Sequence, residues 1–543
     1  MKITDSNIKI IPLGGLGEIG KNMMVIEQNN ELLIIDAGGT FPDEEMDGVN
    51  IIIPNIDYLE KNYKKIKGLL ITHGHEDHIA AIPYLVKKLN IPIYAPKFAV
   101  EIINKKKLRT SSINITTINI EKKYKIGNFN VKWFEVCHSI PDSNGICIET
   151  DNGNIIHTGD FKIDHNPIIG NPSNLANLAN LANLGNNKTL LLMADSTNAE
   201  EEGYSGSDKE VFENLFNIIS KTKGRVFVCS FASLISRMQM ISYIAKLCNR
   251  KISFAGRSMI NNSEISENLK YLDLDNNDLP LNQCLKLPDN QIVIMITGSQ
   301  GEKSSSLMKL SNNDHKKIKI KKNDTVIMSA SVIPGNELGI NKVIDDLVRL
   351  GAKVITNNNL ITHTSGHAKK EELRMLINLI KPKNYLPIHG DYRMLKANYD
   401  LAKECGVNDD NVFLIEDGDI LEITNTKGHI SGSINSGEIY LDNNNNISEK
   451  NKYNTKTGVI IFCGIDFSSE NLLKSIETKS FGIPNNNKNI KLFEELSNVL
   501  KTSNFQKNST LEELEYNLEK SSKEFLRKNM ELAPMVIIST IEI

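Results

Sequence analysis

The stretch "ITHGHEDHIAAIPYL", from Ile71 to Leu85, decides how this chain is interpreted. It follows an apolar run and places three histidines and two acidic residues within six positions, His73 to His78. Imidazole nitrogens and carboxylate oxygens are ligands for Zn²⁺ and Mn²⁺. On a loop after a strand, His73 and His75 can point the same way, while Asp77 and His78 begin the next helix. The hexapeptide predicts two open metal sites, in preference to a polar helix cap by Asp77.

Three candidate ligands lie downstream, each at the end of an apolar run. They are His138 in "VCHSIPDS", Asp160 in "HTGDFKID" and His389 in "PIHGDYR". Strands can deliver such end residues to one edge of a sheet, where they would complete the cluster. A lone histidine is more often a surface or satisfied core residue. We interpret four others in that way: His157, His165, His315 and His429.

Composition restricts the class of protein. The chain has 543 residues, which predicts two to four domains. A net charge of -3 excludes a uniformly basic coat but leaves a local basic channel possible in principle. Seven scattered cysteines without a CxxC pair indicate reduced thiols in a cytoplasmic protein. No apolar run approaches about 18 residues and the N-terminus has no signal-peptide pattern, so we expect no membrane partner.

The pattern of predicted strands and helices divides the chain into domains. Strand-like runs fill 1–206 and return in 367–425, whereas 207–366 alternates helices with short apolar strands, the pattern of a parallel α/β domain. Asparagine-rich 426–454 is predicted to be a linker, and 455–543 a small α+β domain with an amphipathic helix.

The chain contains a glycine-rich segment and an Asn-Leu-Ala repeat. "GGLGEIG" (14–20) contains a G-x-G-x-x-G pattern, but a strand-like run follows it where dinucleotide binding requires a helix. We therefore predict a glycine-rich turn between strands. "NLANLANLANLG" (174–185) has a period of three, and we predict a surface loop.

The order H-x-H-x-D-H, then a histidine, an aspartate and a final histidine resembles the metallo-β-lactamase signature. "ADSTNAE", "HTSGH" and the α/β insertion resemble the β-CASP branch of nucleases, and "PLGGLGEIGKNM", "FPDEEMDGVNIIIP" and "TGSQGE" are most similar to the bacterial ribonuclease J family. The resemblance implies an α/β fold: a metallo-β-lactamase αββα sandwich with an inserted β-CASP parallel α/β domain and a small α+β C-terminal domain.

The resemblance also implies roles for single residues. One metal would take His73, His75 and His138, and the other Asp77, His78 and His389, with Asp160 bridging both. Asp36, which ends the strand "LLIID", would orient a ligand histidine. Asp195 and His367 would be an acid–base pair, although a helix cap is the alternative for Asp195. Two Zn²⁺ are expected, with Mn²⁺ or Mg²⁺ as alternatives.

A structural Ca²⁺ is also implied near "DGVN" (47–50). Asn50 stands where an aspartate is usual, and this weakens the expectation of calcium.

Two loops are expected to bind phosphate. By resemblance, the RNA 5′ monophosphate or an adjacent phosphate is held by Phe231, Ala232 and Ser233 and by the segment His363, Thr364, Ser365, Gly366 and His367. Hydroxyls, backbone N–H groups and the dipole of a helix beginning near Ala368 would form the cradle. Ordinary turn chemistry is the alternative. Ser236 replaces a histidine common in relatives, which affects a secondary phosphate contact only.

The expected function is a ribonuclease that uses two metal ions, acts 5′→3′ as an exonuclease preferring 5′ monophosphate, cleaves internally as well, and serves RNA maturation and mRNA decay. Single-stranded RNA is the expected partner. The terminal domain would support a homodimer or homotetramer, within an RNA-decay or ribosome-associated complex. The alternatives are a hydrolase of a small thioester or ester and a non-catalytic RNA-decay scaffold, which turnover of RNA against a thioester would distinguish.

Overall fold

The structure is a computed structural model of the chain. It describes residues 7–42, 46, 48–105, 113–181, 189–302, 305–332, 336–424, 426–442, 445–448, 458–466, 473–481, 487–502, 510–530 and 535–542. Asp47, which belongs to the expected calcium segment, lies outside these residues.

Strands dominate the described residues up to Asp195. The strands are β1 (Ile8–Gly14), β2 (Leu16–Gly17), β3 (Met23–Gln28), β4 (Glu31–Ile35), β5 (Ile51–Pro54), β6 (Ile66–Leu70), β7 (Ile93–Ala95), β8 (Ile115–Thr117), β9 (Lys123–Ile126), β10 (Phe129–Glu135), β11 (Asn144–Thr150), β12 (Gly153–His157) and β13 (Thr189–Asp195). The helices are α1 (Asp57–Lys61), α2 (Glu76–Ile79), α3 (Ile82–Lys88), α4 (Lys97–Lys105) and α5 (Leu175–Leu181).

Helices and short strands alternate in the middle of the chain. The helices are α6 (Asp208–Lys221), α7 (Ile235–Leu247), α8 (Arg257–Asn268), α9 (Leu281–Cys284), α10 (Ser306–Ser311) and α11 (Glu337–Arg349). The strands are β14 (Val226–Cys229), β15 (Lys251–Ala255), β16 (Ile292–Ile296), β17 (Thr325–Met328) and β18 (Lys353–Ile355).

The last part of the chain contains further strands and helices. They are α12 (Lys370–Ile380), β19 (Asn384–Ile388), β20 (Gly390–Asp391), α13 (Tyr392–Glu404), β21 (Asp419–Thr424), β22 (Lys427–Ser433), β23 (Glu438–Leu441), β24 (Gly458–Ile465), β25 (Leu473–Phe481), α14 (Asn487–Thr502), α15 (Leu511–Asn529) and β26 (Met535–Glu542).

Two mixed sheets enclose the first core. One contains eight strands and the other six, in the orders β22-β21-β1-β3-β4-β6-β7-β8 and β19-β13-β12-β11-β10-β9. Apolar side chains of both sheets form one buried cluster, for example Ile10 and Leu33 of the first with Val131 and Ile148 of the second. A second cluster joins the six-stranded sheet to residues of α12, including Leu376. The expected αββα sandwich is therefore confirmed.

The middle of the chain forms a parallel sheet in the order β15-β16-β14-β17-β18. Strands such as β14 "VFVC" and β16 "IVIMI" are buried along their whole length. Parallel strands covered by helices on both faces require this continuous apolar sequence. The inserted parallel α/β domain is confirmed.

The strand directions place candidate functional residues at one edge of the six-stranded sheet. β12, β13 and β19 run parallel, and β10 has the same direction because β11 is antiparallel to both β10 and β12. The carboxyl ends of these strands therefore share one edge. His138, Asp160, Asp195 and His389 lie at or just after those ends.

The prediction of a loop for 174–185 is wrong in the described part. Residues Leu175–Leu181 form α5, and Leu178 and Leu181 are buried beside residues of α12. Leucines three apart lie on one face of a helix, since a helix has about 3.6 residues per turn. The period of three was therefore a helical signal.

The described residues form two compact units. The first contains residues up to Thr40 together with Pro54–Gly437, and the second contains Phe41–Ile53 together with Glu438–Ile543. In the second unit, β24 pairs with β25 and β26, and α14 and α15 pack on this sheet through Leu496, Leu500, Leu514 and Leu518.

The range 426–454, expected to be a linker, contains two strands. β22 pairs with β21, and β23 pairs with β5. These strands limit any linker to the residues outside them. Among the described residues, no helix has the length and apolar character needed to cross a membrane.

Candidate metal centre

Asp36 anchors the hexapeptide from the adjacent strand. It follows β4, which runs parallel to β6, and takes the left-handed backbone conformation with φ of 60°. Its Oδ1 accepts the Thr72 backbone N–H at 2.8 Å, and its Oδ2 accepts the Thr72 hydroxyl at 2.8 Å. The same Oδ2 lies 2.7 Å from Nδ1 of His78. This contact fixes the ring so that Nε2 of His78 faces the cluster.

Three histidines turn one nitrogen each toward a common point. Nδ1 of His75 lies 3.1 Å from Nε2 of His73 and 3.1 Å from Nε2 of His138. Nδ1 of His138 donates to the carbonyl oxygen of Gly366 at 2.7 Å, which leaves Nε2 as the acceptor. Thr72 Oγ1 lies 3.0 Å from Nδ1 of His73 and holds that ring in the same way.

Asp160 lies between this trio and a second set. Its Oδ2 is 3.6 Å from Nε2 of His73 and 3.2 Å from Nε2 of His78, while its Oδ1 is 3.5 Å from Nε2 of His389. Oδ2 of Asp77 is 3.3 Å from Nε2 of His389 and 3.5 Å from Nε2 of His78. Oδ2 of Asp160 thus lies between the two sets, and Oδ1 faces His389 of the second set.

Both sets fit metal ions. His73, His75, His138 and Asp160 offer ligand atoms that all lie within 4.8 Å of one another, as do Asp77, His78, Asp160 and His389. Ring nitrogens bound to one tetrahedral Zn²⁺ lie about 3.3 Å apart, given bond lengths of about 2.0–2.1 Å. The 3.1 Å separations in the trio are close to this spacing. The structure brings together all seven predicted ligands.

The electrostatic environment of His73, His75 and His138 favours binding of a cation. Burial lowers the pKa of His75 to about 4 and that of His138 to about 3, so both rings are neutral near pH 7. A neutral ring has a lone pair for a metal. Burial acts to raise the pKa of Asp160, but His389 and His78 outweigh it and hold that pKa well below its usual value. The site therefore presents a carboxylate between imidazoles.

Asp195 and His367, the predicted acid–base pair, contact each other beside the candidate metal ligands. Nδ1 of His367 lies 2.7 Å from Oδ2 of Asp195, and its Nε2 lies 4.0 Å from Oδ2 of Asp160. Burial lowers the pKa of His367, but Asp195 outweighs it and raises the pKa above the usual value. Asp195 also accepts the Thr197 backbone N–H at 3.0 Å, so the turn role and the pairing role coexist.

The two loops expected to bind phosphate lie at different depths. Phe231, Ala232 and Ser233 are half-buried between β14 and α7. His363 is buried, Thr364 and Ser365 are half-buried, and Gly366 packs so closely that an added Cβ would lie 2.9 Å from the His138 ring.

The predicted contribution of the helix near Ala368 is wrong. The helix α12 begins at Lys370, and the N–H groups of Ala368, Lys370 and Glu371 donate to the carbonyls of Phe161, Glu201 and Gly203. Glu372 caps the start of the helix through the N–H of Lys369 at 2.9 Å. These amides are already bonded, so any phosphate must be held by the loop itself.

Several residues that position the candidate ligands have no recognisable sequence motif. Thr197 Oγ1 lies 2.7 Å from Nδ1 of His389, and Asn198 donates to the Ser365 hydroxyl at 2.7 Å and the His367 carbonyl at 3.1 Å. Asn22 lies 3.3 Å from Nε2 of His78. Single threonines and asparagines have no distinctive pattern, although Thr197 and Asn198 do lie within "ADSTNAE".

None of the four histidines interpreted as ordinary residues belongs to either ligand set. His157 is buried and accepts the Gly159 N–H at 3.0 Å, while His165 and His429 are exposed. His315 accepts the Ile318 N–H at 3.1 Å.

The fold and the clustered ligands define a metal-dependent hydrolase of the metallo-β-lactamase superfamily. Residues 16–200 match the family described as "Metallo-beta-lactamase superfamily". Residues 223–347 match "Ribonuclease J, beta-CASP domain", and residues 351–413 match "Zn-dependent metallo-hydrolase RNA specificity domain". The chain belongs to the ribonuclease J family.

Curated relatives span most of the chain. Ribonuclease J of Helicobacter pylori (strain ATCC 700392 / 26695) is 38% identical over 540 residues, which cover 96% of this chain and 77% of the relative. Ribonuclease J of Synechocystis sp. is 40% identical over 80% of this chain and 68% of the relative. Ribonuclease J 1 of Streptococcus pyogenes is 34% identical over 554 residues, which cover 99% of this chain and 98% of the relative.

One solved structure supports the fold alone. A protein of unknown function from Enterococcus faecalis aligns with a TM-score of 0.53 at 16% identity, covering 77% of this chain and all of that chain.

Proposed function

We propose that the chain hydrolyses RNA phosphodiesters with two metal ions, acting 5′→3′ as an exonuclease with additional internal cleavage. Its family identifies it as a ribonuclease. The observation that supports two ions is the position of Asp160, whose carboxylate lies within 3.2–3.6 Å of imidazole nitrogens from both ligand sets. When bound, such a pair activates a water and neutralises charge on the phosphate. Zn²⁺ suits these nitrogen and oxygen donors, as does Mn²⁺, with Mg²⁺ as a further alternative.

The protein itself supplies ligand orientation. Asp36 holds His78, Thr72 holds His73, and the Gly366 carbonyl holds His138, each through the nitrogen that does not face the cluster. A ring fixed in this way presents its other nitrogen without a rotational search. We infer that this set of contacts preorganises both sites before RNA arrives.

His367 is our candidate proton donor to the leaving 3′ oxygen. Its Nδ1 is held by Asp195 at 2.7 Å, so Nε2 is the nitrogen directed toward the cluster. Because Asp195 raises the pKa of His367 against the effect of burial, the ring is able to carry a proton near neutral pH. Asp195 would act as the orienting carboxylate.

The 5′ phosphate would sit between the two loops at the carboxyl edge of the inserted sheet. The hydroxyls of Ser233, Thr364 and Ser365 are half-exposed there, and Gly366 leaves no side chain between the loop and His138. A terminal phosphate held beside the metals would admit one nucleotide at a time, which supports 5′→3′ action and a preference for 5′ monophosphate.

We also propose single-stranded RNA as the substrate, a cytoplasmic location, and a homodimer or homotetramer formed through the second unit. A role in RNA maturation and mRNA decay, within an RNA-decay or ribosome-associated complex, follows from the proposed activity.

Turnover of end-labelled RNA tests this proposal. Wild-type protein with Zn²⁺ or Mn²⁺ should release mononucleotides from the 5′ end, faster for 5′ monophosphate than for 5′ triphosphate. His75→Ala should abolish turnover because it removes one of the three clustered imidazoles.

His165→Ala is the matched control, since this histidine is exposed and lies outside both ligand sets. Full activity in the His75 variant would refute the two-metal mechanism. Equal turnover of a matched DNA would refute RNA selectivity, and turnover of a thioester without RNA cleavage would favour the small-molecule alternative.

A further inference from the structure

Arg237 is a fully buried cation in the first turn of α7, with a relative exposure of 0%. Its Nη1 donates to the carbonyl oxygen of Thr362 and to the hydroxyl of Ser329. Ser329 donates in turn to the same carbonyl at 2.7 Å. One guanidinium thereby joins α7, the residue that follows β17, and the residue that precedes His363.

The Arg237 contact lies near the carboxyl ends of β14 and β17 in the inserted sheet. β14 lies between β16 and β17. From β14 the chain goes to the edge strand β15, returns to β16 beside β14, and then crosses to β17 and β18 on the other side. In open α/β sheets, ligands bind outside the carboxyl ends of strands where the order reverses. Ser329 donates its backbone N–H to Cys229, the last residue of β14, at 2.8 Å. Arg237 therefore lies beneath the edge at which a ligand is expected.

The arginine is not fully paired within the described residues. Its Nε and Nη2 have no hydrogen-bond partner there, and neither do Nδ1 of His363 and the hydroxyl of Ser230. The nearest carboxylate oxygen, Oδ1 of Asp208, lies 3.6 Å from Nη2, which is long for a hydrogen bond. A buried charge with unpaired donors is costly, and an apolar side chain would fill the same space. The long ion pair with Asp208 leaves Nε and Nη2 without a hydrogen bond within the described residues, so it satisfies the cation only in part.

We propose that Arg237 is a positioning residue for the 5′ phosphate, holding the segment from Thr362 to Gly366 in place and adding positive charge beneath it. This inference rests on the proposed function, in which that segment binds the terminal phosphate. Arg237 does not touch RNA; it acts through the carbonyl of Thr362 and through its charge. A phosphate monoester carries close to two negative charges at pH 7, whereas a 5′ hydroxyl carries none.

The field of Arg237 reaches the loop. Burial and then the charges of Arg237 and Lys162 lower the pKa of His363 to about 3, so this ring is neutral. Burial lowers the pKa of Arg237 itself only to about 10, so the guanidinium is charged at neutral pH.

The test compares steady-state constants of the metal-loaded enzyme for one RNA oligomer carrying either a 5′ monophosphate or a 5′ hydroxyl. Arg237→Met removes the charge and both contacts at similar length. We expect KM for the monophosphate RNA to rise about tenfold, the loss expected for a charged hydrogen bond. Bound metal and kcat at saturating RNA should change by less than about twofold, because the ligands of the metal site do not contact Arg237. Arg237→Lys, which keeps the charge but offers a single nitrogen, should give a smaller rise.

Arg225→Lys is the matched control. Arg225 is a buried arginine at the opposite end of β14, where its Nε and Nη2 contact Asp324 at 3.0 and 2.5 Å. The Arg225 variant should keep the wild-type value of the ratio of kcat/KM for the monophosphate RNA to kcat/KM for the hydroxyl RNA. A wild-type ratio in Arg237→Met, or an equal loss of ratio in Arg225→Lys, would overturn the inference.

Ser329→Ala decides the matter if Arg237→Met does not fold, because it deletes a single oxygen from the same contact. We expect it to lower the ratio a few-fold, and an unchanged ratio would refute the positioning role. A wild-type enzyme without any preference for monophosphate would overturn the proposed function, and this inference with it.

Discussion

At the scale of single residues, Asp36 shows how a side chain outside the proposed metal ligands can orient one of them. Its carboxylate accepts from Thr72 twice and lies 2.7 Å from Nδ1 of His78. Removal of such a partner from a ligand histidine commonly lowers metal affinity by about 10–100-fold. We expect Asp36→Asn to show a loss of this size, because the amide is uncharged and one of its ends donates.

Competition with a chelator would measure this affinity. Glu27→Gln is the control, since Glu27 lies in β3 and accepts from Tyr58 at 2.9 Å, away from both ligand sets. Unchanged affinity in the Asp36 variant would show that His78 needs no orienting carboxylate.

Asp417 makes a prediction about pH. Burial and then the nearby Glu18 raise the pKa of Asp417 to about 8, while the backbone N–H of Leu16 opposes this effect at 3.2 Å. The folded state therefore binds a proton that the unfolded state releases near pH 4. The free energy of unfolding should fall as pH rises from about 4 to 8, because in that range the folded state binds the Asp417 proton and the unfolded state does not.

Asp417→Asn removes this titration while its oxygen can still accept from Leu16. We expect the thermal midpoint of the variant to match that of the wild type near pH 4 and to exceed it at pH 8.5. The same pH dependence in both proteins would contradict the raised pKa.

At the scale of elements, the loop before α12 must approach the first metal site closely. A Cβ on Gly366 would lie 2.9 Å from Cε1 and Nδ1 of the His138 ring and 3.0 Å from Cβ of Ser139. Gly366→Ala should therefore displace His138 and weaken metal binding at that site. Bound metal per chain, measured by elemental analysis after dialysis, should fall.

Gly339→Ala is the control for this loop. Gly339 lies in α11, where an added Cβ meets nothing within 4 Å, and helix propensity favours alanine by about 0.5–1 kcal/mol. Its metal content should equal that of the wild type. Full metal content in the Gly366 variant would show that the loop can move away without cost.

The elements also show what the sequence could predict. The dense spacing from His73 to His78 and the residues at strand ends identified the ligand cluster, because parallel strands share an edge. The α5 helix is hard to predict because the period of three in "NLANLANLANLG" differs from the helical repeat of about 3.6 residues. The hydrogen bonds of the amides at the start of α12 could not be predicted, since their carbonyl partners at Phe161, Glu201 and Gly203 come from distant segments.

Positioning by the backbone leaves no trace in a sequence. The carbonyl of Gly366 orients His138, yet every residue has a carbonyl and only the fold selects this one. Thr197 and Asn198 are similar cases, because their contacts with His389 and Ser365 depend on how the ends of β13 and β19 pack with the loop before α12.

At the scale of the whole molecule, the second unit has an apolar sheet face. Val536 points toward the helices, while Met535, Ile537 and Ile541 on β26 have exposures of 51%, 42% and 59%. Exposed apolar residues clustered in this way often mark an interface. If this face joins two copies, Ile537→Lys together with Ile541→Lys should reduce the mass measured by light scattering to that of one chain.

Glu519→Lys, on the half-exposed surface of α15, changes charge without touching this face and should leave the mass as in the wild type. An unchanged mass in the double variant would place self-association elsewhere or remove it from the account.

The number of metal ions bound by one chain tests the central claim most directly. Native mass spectrometry of wild-type protein loaded with Zn²⁺ or Mn²⁺ should show two ions per chain, one for each set of ligands that meets at Asp160. A maximum of one ion, with RNA turnover intact, would contradict the account.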